Sequence, residues 1–413
     1  MYSSVGLVSV VWGPHLCCSS LQHRRGRFGT GAVIGAQFVD PAFREQAAFA
    51  GFAVMQALAC FLPRAVRFGI LSGRGDAEAY GKLDLRVLQL GLGAGTVPTW
   101  LRFSCGQRVD VVEYSDDVVA AAARYFGYDR RDAGLGQTVV AEARAFLFGR
   151  AAPFPYDVVV QDVFVGSNPL HLLTREVFAR VRDEWLLRGD GGGGALVVNM
   201  VGLAQGGLEL ETHGNRVHEG SLLARAVACT LRAEFKAVRC FRDKPPGDDP
   251  DEPTNIACAA TNDGGGVLSW RLRAAILNHP ALGDPGLDAD EFVGNAYWVM
   301  RRFFDWEVLQ PFTTETGAEG TGMPAACAGV PVLDDAMREK PLPAALQRSV
   351  DTVAGAMRRW AATLVPENAW AIGAAAMVED AAHEQGEEGQ EQQEEAGTSG
   401  GGGVVDDPRS GHG

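Results

Sequence analysis

The stretch VLQLGLGAGTVPTWL, residues 87–101, decides the fold. It predicts a buried strand, a tight turn that contains Gly91, Gly93 and Gly95, and a helix that begins beside the last glycine. Glycines in such a turn permit positive φ and let a ligand approach the backbone without meeting a Cβ. Thr96 stands where a dinucleotide fingerprint requires glycine. The loop is therefore typical of a nucleotide-type site, but not of the dinucleotide form.

Short apolar runs alternate with amphipathic stretches on both sides of this loop. The runs are rich in valine, as expected of strands that are buried on both faces, and the stretches between them predict helices. This alternation predicts an open, mostly parallel α/β sheet of Rossmann-like type, with ligands at the carboxyl ends of its strands. The predicted strands are Leu85–Leu90, Val109–Val112, Val139–Ala141, Asp157–Gln161 and Ala195–Met200, followed by a hairpin of Ala237–Arg242 and Asn255–Ala260. The predicted helices are Val97–Arg102, Asp116–Phe126, Arg144–Phe148, Thr174–Leu187 and a helix over about 219–235.

Acidic residues follow three successive predicted strands. They are Glu113, Glu142 and Asp162. A carboxylate at the position of Glu113 can accept hydrogen bonds from both hydroxyls of a ribose. Together the three acids predict a ribose clasp, an adenine pocket and a pocket for a methionine moiety. A nicotinamide site does not need the third acid, so the pattern favours a nucleoside of the S-adenosylmethionine type.

Four segments resemble the polyamine aminopropyltransferases, the spermidine synthase-like branch of the class I S-adenosylmethionine-dependent methyltransferase superfamily. These segments are VLQLGLGAGTVPTWL, VDVVEYSDDVV, AEARAFL and YDVVVQDVFVGSNPLHLLTREVF, and the resemblance runs from about residue 3 to residue 260. It implies that S-adenosylmethionine, or its decarboxylated form as co-substrate, binds without a metal and that Asp162 is catalytic. The binding residues implied by the resemblance are Gln37, Gly91, Gly93, Gly95, Glu113, Glu142 and Asp162.

The sequence departs from this family where a diamine would bind. Ala94 and Val165 stand where the family has aspartates, and Phe52 and Val54 fall in the segment that holds the diamine. A desolvated diamine needs carboxylates, and its attacking amine needs a base. We therefore expect a transferase that is most simply a methyltransferase, acting on an unidentified protein or small-amine acceptor. A divergent aminopropyltransferase and an inactive nucleoside-binding scaffold remain as alternatives.

Charge and composition bound the partners and the domains. The 413 residues carry a formal net charge of −14, and such a surface repels nucleic-acid phosphates. We expect a small-molecule co-substrate, no nucleic acid and no membrane partner, and homodimer formation is left open.

The expected organisation is a β-hairpin region at 1–46, a helix and linker at 47–84, a nucleoside-binding domain at 85–262, a helical extension at 263–383 and a disordered acidic tail at 384–413.

Cysteines and apolar stretches predict the compartment. The chain has 8 cysteines and no CxxC pair, and Cys60, Cys229 and Cys258 lie in apolar stretches. This pattern argues against a disulfide framework and a zinc site, and it therefore predicts a reducing, cytoplasmic location.

The longest apolar stretch, Ala47–Leu62, is too short for a bilayer and predicts a buried helix. Residues 1–39 hold no acid and also suit a transit segment for a plastid or another organelle, although the hairpin is favoured.

Overall fold

The computed structural model describes part of the chain. Several residues of interest from the sequence, Val165 and the tail 384–413 among them, lie outside it. All contacts given below lie within Met1–Ala361, which is one of two compact units of the chain; the other is Ala362–Gly413. The described residues are 7–12, 32–38, 50–71, 84–128, 136–164, 167–188, 193–203, 221–243, 253–262, 272–277, 299–300, 303–313 and 323–364.

The described strands form a two-stranded sheet and an eight-stranded sheet. The strands are β1 (Leu7–Trp12), β2 (Ala32–Phe38), β3 (Arg86–Leu90), β4 (Arg108–Glu113), β5 (Thr138–Val140), β6 (Val158–Gln161), β7 (Ala195–Leu203), β8 (Ala237–Arg242), β9 (Pro253–Thr261) and β10 (Glu307–Val308). β1 and β2 are antiparallel, as the predicted hairpin requires. The large sheet has the order β10-β8-β9-β7-β6-β3-β4-β5.

The strand order confirms the predicted open, mostly parallel α/β sheet of Rossmann-like type. Strands β5, β4, β3, β6 and β7 are parallel, and β9 lies antiparallel between β7 and β8. The chain first builds the sheet from β3 toward β5 and then returns to place β6 on the other side of β3. The adjacent carboxyl ends of β3 and β6 thus form the switch point at which sheets of this kind bind ligands.

Helices cover both faces of the large sheet. They are α1 (Ala50–Leu71), α2 (Thr96–Phe103), α3 (Asp116–Phe126), α4 (Ala143–Gly149), α5 (Arg175–Arg180), α6 (Leu222–Glu234), α7 (Leu272–Leu277), α8 (Gln310–Thr313) and α9 (Ala344–Leu364). Side chains alternate along β3, so that Val87 packs in the cluster with α1 and α2 while Leu88 packs in the cluster with α4, α5 and α6. This two-sided burial explains the unbroken apolar runs of the strands.

Two elements differ from their predictions. The helix predicted over Thr174–Leu187 is α5 followed by a π-helical turn at Val181–Trp185. The region 263–383, which the sequence predicts to be a helical extension, contains the strand β10, which pairs with β8. Glu307 of β10 forms an ion pair with Arg239 of β8, a long-range contact that local periodicity does not reveal. Residues 50–62 of the predicted apolar stretch form most of the buried part of α1, and residues 47–49 lie outside the described part of the chain. No described helix has the length and apolarity to cross a bilayer.

Disulfides join cysteines that the sequence predicts to be free, so that prediction is wrong. The pairs are Cys60–Cys105, Cys229–Cys327 and Cys240–Cys258, with sequence separations of 45, 98 and 18 residues. None of these spacings is a recognisable motif, because each pair is brought together by the packing of different elements. The expectation of a reducing compartment rested on unpaired cysteines and therefore loses its basis.

The disulfide Cys229–Cys327 closes the longest loop, 98 residues, and should contribute most to stability. In the loop-entropy relation such a closure is worth about 4.7 kcal/mol. We expect the double variant Cys229→Ala/Cys327→Ala to have a free energy of unfolding about 4.7 kcal/mol below that of the oxidised wild type, as measured by denaturant unfolding. The double variant Cys240→Ala/Cys258→Ala is the control, because it opens a loop of only 18 residues and should lose about 3 kcal/mol. An unchanged stability of Cys229→Ala/Cys327→Ala, or a smaller loss than that of the control, would contradict the pairing.

Candidate functional site

A cavity of about 400 Å³ opens at the carboxyl ends of the parallel strands. The glycine loop after β3 and the residues that follow β4, β5 and β6 form one half of its wall. The other half comes from the start of α1, the end of β7, the loop ends of β8 and β9, and α9. This is the edge of the sheet at which the sequence places a ligand.

The glycine loop has the backbone geometry that only glycine adopts easily. Gly91, Gly93 and Gly95 have φ values of 89°, 56° and 76°. A Cβ on Gly91 would lie 2.2 Å from the carbonyl oxygen of Asp162, so the ends of β3 and β6 approach each other as closely as their backbones allow. The amide of Gly91 donates to the carbonyl of Val112 at 2.8 Å and ties the loop to β4 as well.

Glu113 lies at the end of β4 and is bonded directly to the glycine loop. Its Oε2 accepts a hydrogen bond from the amide of Leu92 at 2.8 Å, and its Oε1 accepts one from the amide of Ser115 at 3.1 Å. Each carboxylate oxygen retains acceptor capacity toward the cavity. The structure therefore fixes Glu113 where a ligand with paired hydroxyl groups could meet it.

Glu142 caps the helix α4. Its carboxylate accepts hydrogen bonds from the amides of Arg144 and Ala145 at 2.9 and 2.6 Å, and Nε2 of His171 lies 3.4 Å from its Oε1. Burial alone would raise the pKa of Glu142, but the two amides and His171 together lower it below its ordinary value. Glu142 thus remains an anion on the cavity wall, and its contact with an adenine stays a prediction.

Asp162 follows β6 and faces the cavity. Its Oδ1 accepts a hydrogen bond from Nδ2 of Asn199 at 2.9 Å, which orients the carboxylate from the neighbouring strand β7. Desolvation is the main cause that raises the pKa of Asp162 to about 6; the bond from Asn199 opposes this shift, and the negative charge of Glu113 adds to it. A carboxyl group with a pKa near neutrality is suited to accept a proton from a reacting group.

The other residues singled out from the sequence lie at different distances from the cavity. Ala94 and Phe52 line it, whereas Val54 is 1% exposed and belongs to the core. Gln37 lies on β2, opposite Val8, and its role in binding stays a prediction. Val165 lies outside the described residues.

Asp243 is a cavity residue that the sequence did not single out. It follows β8, and it lines the same cavity as Asp162. The signal that identified Glu113, Glu142 and Asp162, an acid directly after a predicted strand, was also present here. It was obscured by the acidic loop that follows. Because β8 is antiparallel to β9, and β9 is antiparallel to β7, the end of β8 reaches the same edge of the sheet as the parallel strands.

The described residues 323–364 contribute to the cavity wall and contact α4 beside it. Met357 of α9 lines the cavity and packs in a cluster with Val201 and Phe164. Asp335 forms an ion pair with Arg144 of α4, and Arg144 also donates to the carbonyl of His171 at 2.8 Å. The sequence could not place this region on the fold.

Comparisons with known proteins give likenesses of structure only. No protein-family model and no curated protein matches the chain. A probable spermidine synthase from Corynebacterium glutamicum is 20% identical, with 68% of this chain and 89% of that chain covered and a TM-score of 0.41. Human methyltransferase-like protein 13, solved with SAH, is 17% identical over 53% and 89% of the two chains, with a TM-score of 0.36. Spermidine synthase from Thermotoga maritima is 13% identical over 48% and 60%, with a TM-score of 0.31.

We expect Gly91→Ala to destabilise the protein far more than Gly106→Ala. Both glycines have positive φ, but a Cβ at Gly106 meets nothing within 4 Å, whereas one at Gly91 would collide with the backbone of Asp162. Backbone strain alone should cost Gly106→Ala roughly 1–2 kcal/mol, and strain with overpacking should cost Gly91→Ala about 3–4 kcal/mol. Urea unfolding measures both values. Similar losses would show that β3 and β6 do not meet at this point.

Proposed function

We propose that the protein is an S-adenosylmethionine-dependent transferase, most simply a methyltransferase. The charge of the cavity is the observation that carries this proposal. Its wall contains four carboxylates, and its described lining residues include no lysine or arginine. The carboxylates belong to Glu113, Glu142, Asp162 and Asp243. The other titratable groups among these lining residues are the imidazole of His171, beside Glu142, and the phenol of Tyr114.

This charge favours a cationic nucleoside over a dinucleotide. A pyrophosphate would add negative charge to a wall of carboxylates, whereas S-adenosylmethionine brings a sulfonium and an ammonium group. Partly buried carboxylates without a counter-charge are costly, and a cationic ligand offsets that cost. The glycine loop lets the ligand approach the backbone, Glu113 is available for the ribose, and Glu142 and Asp162 lie at the next two strand ends.

Asp162 is the residue that we assign to proton transfer. S-adenosylmethionine supplies an activated methyl group, so the protein must mainly align the acceptor and remove its proton. The lone pair of the acceptor forms the new bond to carbon, the carbon–sulfur electron pair returns to sulfur, and the acceptor proton passes to Asp162. Asn199 holds this carboxylate in place through its hydrogen bond.

Aminopropyl transfer is the second candidate, and Asp243 is the observation that favours it. The loss of family aspartates at Ala94 and Val165 argues against binding of a diamine. The described cavity nevertheless contains two carboxylates outside the ribose and adenine positions, Asp162 and Asp243. Decarboxylated S-adenosylmethionine with an amine acceptor therefore has to be tested beside the methyl donor.

Calorimetry with the candidate nucleosides tests the proposal. We expect S-adenosylmethionine to bind more tightly than its demethylated product or methylthioadenosine, because both of these lack the sulfonium charge. Preference for the decarboxylated form would favour aminopropyl transfer. If none of these compounds binds the folded protein, the charge argument is wrong and the proposed function falls.

Glu113→Gln should weaken nucleoside binding. The substitution keeps the shape of the side chain, but it removes the charge that strengthens hydrogen bonds from ribose hydroxyls and replaces one of the two oxygens that accept backbone amides by a donor. We expect a loss of about 1.5–3 kcal/mol, roughly tenfold to a hundredfold in Kd. Asp117→Asn is the matched control, since Asp117 is an exposed acid on α3 that does not line the cavity. Equal affinities of the two variants would contradict the ribose assignment.

Asp162 should give turnover and stability opposite responses to pH. A base must be ionised, so kcat/KM should fall as the pH drops through about 6, the pKa of Asp162. Folding raises this pKa from 3.8, so the ionised carboxylate destabilises the folded protein increasingly as the pH rises from 3.8 to about 6. Asp162→Asn should therefore abolish turnover and raise Tm. The gain in Tm should be larger at about pH 8 than at about pH 4, that is, above rather than below the raised pKa of Asp162. A gain in Tm that does not depend on pH would refute the assignment.

A further inference from the structure

The part of the cavity beyond Asp162 is lined mostly by apolar side chains from distant parts of the chain. Phe52 comes from the first turn of α1, Phe164 follows β6, and Met357 lies on α9. Phe164 and Met357 pack in one cluster with Val201 at the end of β7. Phe52, Phe164 and Met357 thus give the cavity an apolar wall that the glycine loop and the strand-end acids do not supply.

One carboxylate stands at the far end of this wall. Oδ1 of Asp243 accepts a hydrogen bond from Oγ1 of Thr254 at 2.7 Å, and Oδ2 accepts one from Nδ2 of Asn255 at 3.0 Å. Both donors are neutral, so they orient the carboxylate without cancelling its charge. Within the described part of the chain, no ion pair involves Asp243. A charge on an apolar wall gains from a cationic partner, which a ligand can supply.

The position of Asn255 depends on the residue opposite it. A Cβ on Gly51 of α1 would lie 2.8 Å from Nδ2 of Asn255, the atom that donates to Asp243. A side chain at position 51 would therefore have to move Asn255. Gly51 thus acts as a positioning residue for the carboxylate.

The sheet sets the distance between the two ends of this region. Asp243 follows β8 and Asp162 follows β6, and β9 and β7 lie between them. Neighbouring strands are about 4.8 Å apart, so three spacings separate the two backbones by roughly 14 Å. A ligand that reaches both carboxylates must be extended, with its cationic end well away from its reacting end.

We propose that this region is an acceptor subsite for an amphiphilic amine. The ammonium group binds Asp243, the apolar body lies along Phe52, Phe164 and Met357, and the reacting end points toward Asp162. The assignment of the reacting end rests on the proposed transferase function. The binding of the ammonium group and the apolar body rests only on the cavity itself.

Titration calorimetry with octylamine, butylamine, octanol and putrescine tests the subsite, with and without a saturating amount of the demethylated nucleoside product. We expect octylamine to bind most tightly, because it alone combines a single charge with a long apolar body. Asp243→Asn should lower octylamine affinity about tenfold or more and leave octanol affinity unchanged. Gly51→Ala should also lower octylamine affinity, because its Cβ would move Asn255.

Asp351→Asn is the matched control. Asp351 is an exposed acid on α9, bonded to Gln347, and does not line the cavity. Octylamine affinity that is equal to that of octanol, lower than that of putrescine, or unchanged in Asp243→Asn would overturn the proposal. If the nucleoside product fails to bind, the proposed function falls, and the octylamine titration without it still decides the subsite.

Discussion

The close approach of β3 and β6 at Gly91 is the constraint on which the rest of the site depends. The position has no room for a side chain, because the carbonyl oxygen of Asp162 lies only 2.2 Å from where a Cβ would be. The same turn presents the amide of Leu92 to Glu113, which connects β4 to the loop. The two contacts of this one turn therefore set the relative positions of the carboxylates of Glu113 and Asp162, which follow different strands.

These carboxylates line a cavity without lysine or arginine among its described lining residues, and the missing counter-charge reduces the stability of the folded protein. Desolvation raises the pKa of Asp162 to about 6. Above that pH the ionised carboxylate lowers the free energy of unfolding, because water would solvate the charge better than the folded protein does. Glu142 avoids a similar penalty because two helix amides stabilise its charge. Neighbouring acids on one wall thus have different proton affinities for local reasons.

The fold and half of the site could be predicted from local sequence. Valine-rich runs, the glycine loop and acids at strand ends depend on residues that are neighbours in the chain, and the structure brings Glu113, Glu142 and Asp162 to one cavity as expected. Features that depend on the packing of distant segments could not be predicted in this way. The pairing of Cys229 with Cys327, the strand β10 and the approach of Met357 to the cavity are of this kind.

The distribution of the cavity along the chain has a consequence for biosynthesis. The glycine loop and the first three strand-end acids lie within residues 91–162, whereas Met357 lies almost 200 residues later. On the ribosome, the glycine loop and these three acids are synthesised long before α9. The two halves can therefore also diverge separately during evolution, since a change in α9 alters the far wall without touching the loop at Gly91.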